Sequence, residues 1–275
     1  MFVVKVPAIN GLGKTSGCEK AGNAVIEALK EIYGNERGAT IDARLLDLEE
    51  IHVDNGNIEE AGKLIYKNSL EIFGTRPKTI FIGGDHSISY NTTKAFMDYC
   101  KNSEKEPCLI IFDAHPDCMS TFEEIPGGGG IKTPTHEEWL RTLIEDGFPT
   151  ENIFLVGVRN QAPEETAFLK QSGVKIMKMG QLLENLDDCA DILLEFSNGK
   201  ELYVSVDIDS VDPAFAPATG YIEPGGLTSR QLIYVLQRLT RAKNLKAIDI
   251  VEINPDKEGA KITVQLGAKI LSEFL

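Results

Sequence analysis

Short runs rich in Val, Ile and Leu alternate along this chain with longer stretches whose apolar residues fall three and four apart. The short runs are FVVKV (2–6), IDARLLDL (41–48), KTIFIG (78–83), CLIIFD (108–113), NIFLVGV (152–158), VKIMKM (174–179), ELYVSVD (201–207) and KAIDIVE (246–252). Between them AGNAVIEALKEIY (21–33), IEEAGKLIYKNSLEIF (58–73) and SRQLIYVLQRLTRA (229–242) carry the helical period. This βαβα rhythm predicts an α/β fold of three layers, αβα, with a mostly parallel sheet of about eight strands and helices on both faces. No internal repeat and no Pro/Gly/Ser linker divides the 275 residues, so a single domain over 1–275 is expected. The longest irregular segment, 114–135, contains GGGG at 127–130; a loop of that length in a compact domain is usually functional or mobile.

Ligands of parallel α/β sheets sit beyond the carboxyl ends of the strands, so the residues there carry the chemical information. After 78–83 come Asp85 and His86, and after 108–113 the segment AHPD completes the set Asp113, His115, Asp117. The run 201–207 ends in Asp207, followed by Asp209 and Asp212, and 246–252 ends in Glu252. One such Asp is commonly a helix cap or turn residue, and one such His a structural residue. The whole set on one sheet edge is harder to explain in that way. Asp113, Asp117, Asp207 and Asp209 close together would repel and raise one another's pKa unless something cationic lay among them. Two divalent ions do this in two-metal sites, and an oxygen-rich set with imidazoles His86 and His115 and no thiolate suits Mn²⁺ better than structural zinc.

A formal charge of −14 is poorly suited to nucleic-acid backbones and mildly favours cationic small molecules and metal ions. No apolar run is long enough to span a bilayer, and MFVVKVPAING does not read as a signal peptide, so a cytoplasmic location is expected. The five cysteines are scattered without a CxxC pair, which argues against a disulfide framework or a zinc ribbon. Cys118, beside Asp117, is either inert filler or an oxidation-sensitive neighbour. Trp139 reads as helix packing and His52 as a turn residue.

Three segments, GGDHS (83–87), DAHPD (113–117) and SVDIDSVDP (205–213), resemble the signatures of the ureohydrolase family of arginases, agmatinases and relatives. PATGYIEPGGLTSRQL (217–232), DIVEINP (249–255) and SGCEKAGNAVIEAL (16–29) are similar to further family segments, in the same order along nearly the whole chain. The resemblance implies an arginase-like fold and a binuclear manganese centre, or one of other divalent ions. His86 and Asp117 would bind one ion and His115 and Asp209 the other, with Asp113 and Asp207 contacting both. It implies hydrolysis of a guanidino C–N bond to urea and an amine by an activated water. Asp117 would accept a hydrogen bond from that water, Glu252 would hold the guanidinium, and His136 would move the proton to the departing nitrogen. It also implies a homo-oligomer, trimer or hexamer, and a small cationic guanidino substrate, with neither nucleic acid nor membrane as partner.

The chain departs from the family at informative places. His136 is followed by Glu137 where relatives typically carry Gly. Met119 stands where arginases usually have the Asn that helps hold the substrate's α-carboxylate, and RNQA (159–162) replaces the RDxD that reaches the α-amino group. Agmatinase-like activity is therefore the first expectation; arginase, formimidoylglutamase or another guanidino-acid hydrolase are the alternatives within the family. Outside that reading stand a P-loop nucleotide-binding protein, because AINGLGKT (8–15) approximates that motif, and a non-catalytic relative that keeps its metals.

Overall fold

The computed structural model describes residues 2–11, 13–120 and 133–275. Among them, eight strands form one sheet: β1 (Phe2–Val6), β2 (Asp47–Glu50), β3 (Thr79–Gly83), β4 (Pro107–Phe112), β5 (Ile153–Val156), β6 (Lys175–Met177), β7 (Glu201–Asp207) and β8 (Leu245–Val251). Their order across the sheet is β2-β1-β3-β8-β7-β4-β5-β6, and every neighbouring pair is parallel. The helices are α1 (Ala21–Leu29), α2 (Ile58–Thr75), α3 (Ile88–Asn102), α4 (Trp139–Glu145), α5 (Pro163–Ser172), α6 (Met179–Glu184), α7 (Leu186–Ser197), α8 (Ser229–Leu239) and α9 (Ala260–Phe274).

Both faces of the sheet are covered, which is why β3, β7 and β8 read as nearly unbroken apolar runs. Alternate residues supply two cores. Val3, Ile80, Ile82, Val204 and Ile250 pack with Val25, Leu193, Leu236 and Leu271 from α1, α7, α8 and α9. Phe81, Leu109, Ile111 and Tyr203 pack with Phe73, Phe96 and Leu140 from α2, α3 and α4. Local signals set helix starts. Thr228 Oγ1 accepts from the Gln231 amide (3.2 Å) while Gln231 Oε1 accepts from the Thr228 amide (2.9 Å), a reciprocal cap that opens α8.

Several sequence-based boundaries move. The run 41–48 is largely not a strand: Ala43–Leu45 is a 3₁₀ turn begun by Asp42, and pairing with β1 starts at Asp47. This strand, DLEE, is an exposed acidic edge, where charge discourages pairing with another chain. The segments 21–33 and 229–242 leave helical geometry after Leu29 and Leu239. Residues 127–130 of the long loop lie outside the described residues.

Chain direction reverses between β4 and β7. From β4 the chain proceeds outward to β5 and β6; from β7 it proceeds the other way to β8. Loops leaving such a pair diverge and open a crevice at the strand ends.

Candidate metal centre and active-site cleft

The six residues expected to hold metal converge at this crevice. His86 follows β3, Asp113, His115 and Asp117 follow β4, and Asp207 and Asp209 lie at the end of β7. His86 Nδ1 lies 3.0 Å from Asp113 Oδ2, 2.9 Å from Asp117 Oδ2 and 3.2 Å from Asp207 Oδ2. His115 Nδ1 lies 2.9 Å from Asp209 Oδ2 and 3.7 Å from Asp113 Oδ1. Two groups result, His86–Asp113–Asp117 and Asp113–His115–Asp209, each with its ligand atoms within 4.8 Å of one another. Asp113 belongs to both.

Backbone amides aim the carboxylates. The His115 amide donates to Asp113 Oδ1 (2.7 Å), the Asp209 amide to Asp207 Oδ1 (2.7 Å) and the Ala114 amide to Asp209 Oδ1 (3.0 Å). The β4 turn is held from the β5 side, where the Arg159 and Asn160 amides donate to Ala114 O. The Arg159 guanidinium reaches Asp209 O and Glu223 O, both at 2.6 Å, and so clamps the segment after β7. Three non-glycine residues of the described chain have positive φ, and Asp117 (49°) and Glu252 (64°) are two of them. Such backbone strain tends to persist where the surrounding structure fixes a functional side chain.

His86 is also held from behind. Its Nε2 lies 3.0 Å from Ser205 Oγ, and that hydroxyl donates to Asp249 Oδ1 at 2.6 Å. Ser205 and Asp249 are direct partners in the β7–β8 register. Asp249 Oδ2 accepts from Ser89 (2.8 Å) and Tyr203 (2.9 Å). With Nε2 directed at the serine, Nδ1 is the nitrogen that faces the carboxylates. Nδ1 is buried, and none of the three nearby oxygens stands in hydrogen-bond geometry to it. A buried ring nitrogen without a hydrogen bond, among oxygens from three aspartates, is the donor arrangement a divalent ion requires.

The electrostatics agree. Burial pushes the Asp113 carboxyl well above the usual carboxylate range, and Asp117 and Asp209 push it further. Burial does the same to Asp207, with Asp209 and Asp113 adding to it. Burial would also raise Asp209, but the bonded His115 imidazole holds it below its usual value. Burial would lower both imidazoles; the carboxylates overcome this, taking His86 well above its usual value and His115 to about 11. Beside burial, the raised carboxyls and raised imidazoles share a cause, an excess of buried negative charge, which cations between the oxygens would neutralise.

The sequence did not reveal the role of Trp139. Beyond packing, its Nε1 donates to Asp117 Oδ2 at 2.7 Å, and its ring lies 4.8 Å from that of His86. The indole is fully buried at the start of α4, whose Leu140 and Arg141 amides donate to Asp117 O. Trp139→Phe keeps the packing and removes the donor, so Mn²⁺ affinity is expected to fall about 10- to 100-fold in chelator competition. Unchanged affinity would show that the indole only packs.

Glu252 is buried. Its Oε1 accepts from the His86 amide (2.9 Å), and among the described residues the one donor to Oε2 is the weak Cys18 thiol, at 3.9 Å. Burial, with Asp207 and Asp85 behind it, raises its carboxyl well above the usual value. His136 is buried on the 133–138 segment, and neither ring nitrogen has a hydrogen-bond partner among the described residues. Beside the centre a cleft of about 290 Å³ is lined by His115, Asp117, Met119, His136, Glu137 and Tyr221, with Asn160 to Ala162 and Glu165 on the β5 side.

The resemblance of 8–15 to a P-loop ends here. Thr15 is buried and its hydroxyl donates to Asp85 Oδ2 (2.9 Å), while Asp85 also accepts from the Asn10 amide (2.7 Å). Helix α1 begins only at Ala21, so no helix N-terminus faces Lys14. The described residues of the segment are tied to the end of β3 and form no phosphate cradle. Cys118 is buried and its thiol pushed well up by that burial, which favours the inert reading. No described cysteine is in a disulfide.

A family model described as the Arginase family matches residues 1–275. The chain belongs to the arginase family. It is 30% identical to an agmatinase of Bacillus subtilis (strain 168) over 239 residues, which cover 85% of this chain and 75% of that protein. Among solved structures it resembles the formimidoylglutamase of Bacillus subtilis subsp. subtilis str. 168, with TM-score 0.87 and 26% identity, covering 99% of this chain and 85% of that one. It also resembles proclavaminate amidino hydrolase from Streptomyces clavuligerus, with TM-score 0.84 and 25% identity, covering 99% and 89%. Arginase-family proteins are hydrolases of amidino C–N bonds with binuclear metal centres, and this chain is such a hydrolase with clustered groups that could hold metal. No helix of the described residues is long and apolar enough to cross a membrane.

Proposed function

We propose that this arginase-family chain hydrolyses agmatine or a close analogue to urea and a diamine, using two Mn²⁺ ions. The observation that carries the substrate choice is the cleft wall. Among the described residues no lysine or arginine lines it, and the lining includes Met119 and Asn160 to Ala162, where the sequence departs from the arginase pattern for holding an α-carboxylate and α-amino group. A substrate without a carboxylate fits such a wall; a guanidino acid would bring in an unpaired anion.

His86 and Asp117 would hold one ion, His115 and Asp209 the other, with Asp113 and Asp207 shared. The pair would supply Lewis acidity and a water nucleophilic near neutral pH. The remaining roles belong to the chain. Asp117, braced by Trp139, orients that water through a hydrogen bond. Glu252 Oε2, unoccupied by any strong donor, accepts from the guanidinium and fixes its plane. His136, with no hydrogen-bond partner on either nitrogen among the described residues, hands a proton to the departing amine. The same family membership supports a trimeric or hexameric assembly.

The test is product release from the Mn²⁺-loaded protein: urea from agmatine, arginine and 4-guanidinobutyrate, and formamide from formimidoylglutamate. The expected result is a kcat/KM for agmatine at least about 100-fold above that for arginine, as unpaired polar groups in a closed site discriminate. Faster turnover of arginine or of either acid would overturn the substrate assignment.

A further inference from the structure

The far end of the substrate must meet the cleft wall, and there the chain carries Glu137 instead of the family's usual glycine. Glu137 lines the cleft together with His115, Asp117 and His136. The Tyr221 hydroxyl donates to its Oε1 at 2.9 Å, and Tyr221 is itself steadied by ring contact with His136 at 5.3 Å between centroids. The Glu137 amide carbonyl accepts from the Met119 amide, so both ends of the residue are anchored. Among the described residues no donor reaches Oε2.

The other acids of this wall are already engaged. Glu165 accepts the Cys118 amide on Oε1 (3.0 Å) and the Ala162 amide on Oε2 (2.7 Å). Asp117 is taken up by Trp139 and the metal cluster. Nor does a described cation neutralise Glu137: Lys14 reaches this corner but lies on the Tyr221 ring, 4.2 Å from its centroid. A preset carboxylate with one open oxygen, in a wall whose described lining residues include no lysine or arginine, matches an ammonium.

We infer that Glu137, set by Tyr221, binds the far ammonium of a substrate cationic at both ends and so selects diamine-derived guanidines over guanidino acids. The inference rests on the guanidino-hydrolase reading above and names the residue that would confer its selectivity. Glu137 also lies 3.8 Å from His136 Nε2, so a role through that imidazole is the competing account. The two differ in one respect: an ammonium anchor acts only on substrates that carry the ammonium, whereas an effect through His136 acts on all alike.

The experiment uses the full Mn²⁺-loaded chain with agmatine, butylguanidine, which has hydrogen in place of the ammonium, and 4-guanidinobutyrate, which has a carboxylate in place of the terminal aminomethyl group. Wild type should favour agmatine over butylguanidine by about 10- to 100-fold in kcat/KM, the effect of a hydrogen bond to a charged group. Glu137→Gln should collapse that ratio toward unity through KM, and Glu137→Lys should move preference toward 4-guanidinobutyrate. Tyr221→Phe, which frees the carboxylate without removing it, should lower the ratio part of the way. If wild type favours agmatine and Glu137→Gln keeps the ratio, or lowers all substrates by one factor, the anchor is overturned and the functional reading stands. If wild type prefers the acid, or turns over none of the three, the functional reading falls and the anchor with it.

Discussion

Asp113→Asn is expected to reduce bound Mn²⁺ below two per chain and to lower urea release about a thousandfold or more. Asp113 is the one residue common to both ligand groups, so its loss weakens both positions together. Two cations that polarise a substrate and activate water supply several kcal/mol of charge stabilisation, which converts to that rate. The substitution is nearly isosteric, and Oδ1 can still accept the His115 amide, so the turn should survive. In the metal-free protein the sign should reverse. Burial and the neighbouring Asp117 and Asp209 disfavour the charged form of Asp113. Removing that charge should leave the apo-protein at least as stable as wild type, while the metal-dependent rise in Tm shrinks. Elemental analysis and thermal melts with and without chelator measure both. Two ions retained at wild-type affinity would refute the assignment of Asp113 as a shared ligand.

Glu252→Gln is expected to lower kcat/KM for the guanidino substrate about 100- to 1000-fold, with two Mn²⁺ still bound. Cutting one partner from a buried charged pair costs several kcal/mol, in the range of that loss. The amide can keep the bond to the His86 amide through its carbonyl oxygen, so His86 should stay in place. The side chain on Oε2 then presents a donor or a neutral acceptor to the guanidinium in place of a charge. Unchanged kcat/KM would remove Glu252 from the substrate site. A fall that tracks loss of metal would make it a support for His86 instead. Comparing metal content and kinetics on one preparation separates these outcomes.

Much of the fold was legible because strands of a sheet covered on both faces are mostly apolar, as β3, β7 and β8 are apart from residues such as Ser205, Lys246 and Asp249. The edge strand β2 was misplaced for the opposite reason. DLEE is exposed and charged, so neither period nor β-branched residues mark it, while the apolar LL just before it suggested a strand too early. The candidate metal residues were legible because they lie at strand ends, in short segments of unusual chemistry. What escaped was each contact between side chains remote in sequence. Trp139 and Asp117 are 22 residues apart, and nothing in either segment names the other. Asp249 did carry a signal: an aspartate in the middle of an apolar strand requires buried partners. Identifying them as Ser205, Ser89 and Tyr203 required the register between β7 and β8 and the position of α3.

The place of β8 in the sheet orders events in a newly made chain. It lies between β3, which carries His86, and β7, whose neighbour β4 carries Asp113, His115 and Asp117. Until residues 245–251 are synthesised and inserted, the two halves of the sheet have no strand joining them, and the imidazole and carboxylates of the first ligand group belong to separate pieces. Long-range pairings of this kind form late because loop closure must precede the contacts it permits. The first group, His86–Asp113–Asp117, is then assembled only in a chain that has completed its sheet, whereas Asp113, His115 and Asp209 sit on the directly paired β4 and β7 and need no β8 to meet.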